Sequence, residues 1–174
     1  MSKPAYLATL DQILIWVSLL IGGAMLAFMT LFGTVNVLVM RKLLNAPIRG
    51  AEDLMILSLV ILVAIAIPFG GRVGAHIEIE ILESRMSKSF AQWSLFVVRV
   101  VCGALMLLMA WELIIAGQNA PKFGETTQQL LISYEPFYYL LAVCVAVYAL
   151  VCASDALQLA RTGEIEQIPL GEAL

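Results

Sequence analysis

Charge is scarce in this sequence: Asp, Glu, Lys and Arg make up 13% of it, against 61% hydrophobic residues. Soluble domains carry about 25% charged and about 45–50% apolar residues. A fold of this size in water could not cover so much apolar surface, so lipid must be part of its solvent. His76 is the single histidine, which excludes bis-histidine haem ligation by this chain alone. Cys102, Cys144 and Cys152 each lie in an apolar run and form no CxxC pair; they read as small buried hydrophobes. A basic excess is missing too. The net charge is −3, and without a basic stripe nucleic acid is not an expected partner. There is no Gly-rich phosphate loop, no nucleophile beside a base and no metal-spaced cluster. Catalytic, substrate-binding and metal-ligating residues are therefore expected to be absent, and so is a cofactor.

Long uncharged stretches are what the sequence does have. They run from Ile13 to Met40 between Asp11 and Arg41, from Leu54 to Gly71, from about Phe90 to Gly117 (interrupted by Arg99 and Glu112) and from Pro136 to Ser154 between Glu135 and Asp155, the last span reaching about residue 158. A helix needs about 20 residues at about 1.5 Å each to cross a bilayer core. Lipid leaves helices as the sensible choice, because an open strand there has unpaired backbone groups. The first stretch exceeds a signal-peptide core of about 7–15 residues and is expected to stay as an anchor. Trp93 and Trp111 would stand about 27 Å apart along the third helix, as interface markers do. Pro68, with Gly70 and Gly71 just after it, should kink or end the second helix. Arg99 and Glu112 lie about 20 Å apart in height on different faces of one helix. They cannot pair within it, and snorkelling to opposite headgroup layers or pairing with another subunit accounts for them.

Between the second and third spans, Ile77-Glu78-Ile79-Glu80-Ile81 alternates like a strand. A lone strand at a membrane surface has no partner. As a helix, Ile79, Leu82 and Met86 share a face, which predicts a short amphipathic helix over about 77–87, lying in the interface. The expected fold is thus all-α and integral to the membrane: one domain over 1–174, a four-transmembrane-helix bundle with that interfacial helix and a C-terminal tail over 160–174. Four spans put both termini on one side. Lys3, Arg72, Arg85, Lys88 and Arg161 on that side slightly outnumber Arg41, Lys42, Arg49 and Lys122 opposite, favouring cytoplasmic termini.

The loop motifs carry a resemblance. Arg41 ends the first span, Asn45 and Pro47 form a turn, and Glu52-Asp53 opens the second helix, where acids complement the helix dipole. After the second span comes Arg72-x-Gly74-x-His76-Ile77, then Ile79-Glu80. In this order and spacing the chain resembles the DctQ-like small membrane subunit of tripartite ATP-independent periplasmic (TRAP) transporters, over nearly its whole length. It departs from that pattern in lacking an aromatic residue before the acidic pair and in having Glu80 for the more usual Asp.

The resemblance implies a small, non-catalytic permease subunit in the bacterial inner membrane. Its partners would be membrane lipid, a large multi-spanning permease subunit holding the substrate and sodium sites, and a periplasmic protein that delivers an organic acid. The small subunit would enlarge the static scaffold and help dock the binding protein. Arg72, Gly74, His76 and Glu80 are then the candidates for the scaffold interface. Arg41, Lys42, Arg49, Glu52 and Asp53 are the candidates for periplasmic docking. Rival expectations are the small subunit of another tripartite carboxylate carrier, a haem- or quinone-holding anchor of a respiratory enzyme, and a self-sufficient channel. The last needs a polar path that the spans do not offer.

Overall fold

In the computed structural model the described residues are 5–73 and 88–162. The expected interfacial helix over 77–87, with Gly74, His76 and Glu80, and the end of the tail lie outside them. Among the described residues, four helices are long and apolar enough to cross a membrane. Helix α1 covers 5–43, α2 Ala51–Val73, α3 Lys88–Phe123 and α4 Glu135–Thr162. Each overruns its uncharged stretch, because charged residues tolerated at a membrane surface continue the helical turn. Two segments of α1, Ser18–Gly22 and Val35–Leu43, are wound more widely than an α-helix, in π-type turns.

Helix α2 does not end at Pro68. It runs on to Val73, with Pro68 buried inside it. Proline removes one backbone hydrogen bond, and in a membrane helix neighbouring helices supply the compensation. An apolar groove of about 390 Å³ opens beside Pro68, lined also by Leu10, Leu14, Val17, Ile65 and Val147.

The principal helix contacts run from α1 to α2, from α2 to α4 and from α4 to α3. The bundle is therefore a row in the order α1–α2–α4–α3, with α2 and α4 parallel to each other and the outer pair antiparallel to them. Burial follows that order: 44% of the apolar window of α4 and 33% of that of α2 are buried, against 17% in α3 and 11% in α1. The remaining apolar surface of the outer helices is what a bilayer or a partner covers.

Small residues let neighbouring helices approach, as membrane interfaces require where no hydrophobic drive favours helix association. A Cβ at Gly71 would overlap the ring of Tyr148, and one at Gly117 would come within 2.9 Å of the Tyr139 ring. Ala142 and Ala149 are buried on α4, whereas Gly23 and Ala27 on α1 are exposed. The apolar core gathers Leu14, Tyr148, Val151 and Cys152, with Ile67 and Cys102 against it, so all four helices reach it.

Candidate functional site

Two polar assemblies close the row, one at each end. Near the terminal end sits a buried ion network. Arg72, in the last turn of α2, is 1% exposed. Its Nε donates to Asp11 Oδ1 at 2.7 Å and its Nη2 to Asp11 Oδ2 at 3.0 Å, while Nη1 donates to Asp155 Oδ1 at 3.0 Å. On the far side of Asp155, Arg99 Nη1 lies 3.7 Å from Oδ2. The fork of the guanidinium matches one carboxylate bidentately and leaves an edge for a second, geometry a lysine could not reproduce.

The order Asp11–Arg72–Asp155–Arg99 is also the order α1–α2–α4–α3, so the charges alternate along the row and sum to zero. A lone ion in this setting would be very costly, and each of these four faces an opposite charge on the neighbouring helix. Arg99 is thus buried and directed at α4; it does not snorkel to a headgroup layer. Asp11 and Asp155 had served in the sequence only as the ends of uncharged runs. The signal available was two acids and two bases at corresponding ends of four spans.

At the opposite end the loops 44–50 and 124–134 lock together. Asp53, in the first turn of α2, is buried and accepts the backbone N–H groups of Gln129 and Leu130, both at 2.8 Å. The Gln129 side chain returns the link, its Oε1 accepting the Gly50 N–H at 2.7 Å. Gly50 has φ +75, and a Cβ there would collide with Leu130. Asn36 Oδ1, on α1, accepts the Ile48 N–H at 3.1 Å.

The second loop is held internally as well. Thr127 N–H donates to Ile132 O at 2.9 Å, Ile132 N–H to Thr127 Oγ1 at 3.0 Å and Tyr134 N–H to Glu125 O at 3.1 Å. Tyr138 Oη donates to Glu125 Oε2 at 3.0 Å, tying the loop to α4. Nothing in the run Thr126-Thr127-Gln128-Gln129 had marked it in the sequence as the partner of the acidic pair.

The sequence-predicted docking residues divide on this surface. Arg41, Lys42, Arg49 and Glu52 are exposed, whereas Asp53 faces inward. Arg41 Nη2 meets Glu52 Oε1 at 3.4 Å, and Arg49 makes no hydrogen bond or ion pair among the described residues. A polar pocket of about 130 Å³ opens between Asn36, Arg41, Arg49, Glu52 and Gln129. Among the described residues no group of three His, Cys, Asp or Glu side chains is placed to hold a metal ion.

The fold and these two assemblies define a multi-pass helical membrane protein. A family model, tripartite ATP-independent periplasmic transporters, DctQ component, matches residues 29–162. The match covers most of the chain, and the chain belongs to that family: it is a small membrane component of a TRAP transporter. No curated protein and no solved structure matches it.

Proposed function

We propose that this chain is the non-catalytic scaffold subunit that holds a large permease during sodium-coupled, binding-protein-dependent uptake of an organic acid. It would sit in the bacterial inner membrane with cytoplasmic termini. The observation that carries the reading is the ion network joining all four helices, because a charge-matched row resists sliding of one helix past the next. Hydroxyls within the spans support it. Thr30 Oγ1 bonds Leu26 O at 2.9 Å, Ser58 Oγ bonds Leu54 O at 2.7 Å and Ser154 Oγ bonds Val151 O at 2.7 Å, so these three are satisfied on their own helices. Transport chemistry then belongs to the partner, and rigidity to this chain.

The test is to purify the tagged chain from its native membranes in mild detergent. An equal amount of a large polytopic permease is expected with it. A chain that runs alone, or with redox subunits and a haem spectrum, would refute the reading.

A further inference from the structure

Glu112 is the one span charge that the buried network does not absorb. Its depth follows from the neighbours of α3. Gly117 packs on Tyr139 and Gly103 contacts Cys152, so Glu112, between them, lies alongside the middle of the uncharged stretch of α4, and Trp111 lies there with it, not at the interface that its spacing from Trp93 suggested. At 1.5 Å per residue it is more than about 12 Å from the levels of Glu135 and Asp155.

Its direction follows from the helical repeat. Among the described residues of α3, Ala120 is buried near the loop, and Arg99, Gly103, Ala110 and Gly117 form the buried stripe along the span. Glu112 lies about half a turn round from them, and it is exposed. Val101, Leu105, Leu108 and Ile115 share its stripe and are exposed as well. Glu112 makes no hydrogen bond or ion pair among the described residues.

A carboxylate aimed outward at that depth does not suit lipid. Ionisable groups inside a membrane face a protein interior or a water-filled cavity and are paired. Glutamate is also too short to reach a headgroup layer as arginine and lysine do. The spacing 101–105–108–112–115 alternates steps of four and three, the seam on which one helix packs along another. A single polar residue in such a seam fixes register.

Resting on the subunit reading above, we infer that this stripe of α3 is a helix-docking surface. Its occupant is a transmembrane helix of the large permease that presents a lysine or arginine opposite Glu112. The pair forms only on assembly, so it selects that partner over lipid and over a second copy of this chain.

The experiment places a photoreactive residue at position 108 in the assembled transporter and, separately, tests Glu112→Leu and Glu112→Gln. The position-108 probe is expected to label the permease. Glu112→Leu is expected to reduce recovered permease by at least about tenfold, the loss of one partner of a desolvated pair, and Glu112→Gln by less. The Leu variant purified alone should unfold at the wild-type temperature or above, which separates docking from folding. Labelling of lipid or of a second copy of this chain, or full permease recovery with Glu112→Leu, would overturn the inference while leaving the subunit reading intact. A wild-type chain that recovers no permease overturns the subunit reading, and this inference with it.

Discussion

With leucine at position 72, Asp11 and Asp155 would face each other at the end of α2, and Arg99 alone would oppose them. Removing one member of a buried ion pair costs about 3–5 kcal/mol, chiefly through the charge left behind. Arg72→Leu is therefore expected to lower the unfolding midpoint in detergent substantially. Arg72→Lys should recover part of the loss, since it restores the charge but not the fork. An unchanged midpoint in the leucine variant would show that the network contributes no stability. Arg72 stood out in the sequence by its place in a loop motif, but its partners did not. A linear reading ranks charges by distance along one helix, so Arg99 was weighed against Glu112. Its counter-charge, Asp155, lies across a helix interface, and which helices are neighbours is a property of packing that no run of residues states. Asp53 is the converse case. Its position announced a helix-dipole acid, and it also serves as the acceptor for a distant loop. Asp53→Ala should leave two part-buried N–H groups without their acceptor, at a cost of about 1 kcal/mol each, and speed amide exchange at Gln129 and Leu130 above all other positions. Uniform protection across the loop would argue against that role.

The helices were legible because uncharged runs bounded by charges report the bilayer directly. Their neighbours were not, and neither was the continuation of α2 through Pro68. A proline rule drawn from helices in water assumes that a lost hydrogen bond is exposed to competition, and here Pro68 is packed inside the row. The loop elements depend on backbone conformation more than on composition. Gly50 combines φ +75 with direct contact on Leu130, so a side chain there meets both torsional strain and overlap. Gly50→Ala is expected to destabilise the interlocked loops. Adding Leu130→Ala should remove the overlap and recover part of the loss, leaving the cost of the left-handed backbone. If the double variant is as unstable as the single one, the contact with Leu130 is not what the glycine is for. Proteolysis at 124–134, scored on the purified chain, reads both effects at the element they belong to.

As a whole, the molecule is a thin layer of helices around a small common core, pinned at both ends and largely bare on its outer helices. The ion network fixes one end and the loop lock the other, while α1 between them carries exposed Leu19, Leu20, Leu26 and Leu31. Such a layer is suited to being packed against, and its rigidity comes from its ends. The loop end then presents a preformed surface to whatever compartment it faces. With cytoplasmic termini that is the periplasm, where Arg41, Lys42 and Arg49 stand exposed and Glu52 partly offsets Arg41 at 3.4 Å. Arg49, like Lys42, has no counter-charge among the described residues and is open to an incoming acidic side chain. Contacts of this kind act at the rim: they steer encounter and weaken with salt more than they set final affinity. Arg49→Glu should therefore slow association of the binding protein with the reconstituted transporter at low ionic strength and leave dissociation nearly unchanged. The difference should shrink as salt is raised. Equal association rates for the two forms at low salt would remove Arg49 from the docking surface, and a salt-independent defect would mean that the substitution had damaged the interlocked loops instead.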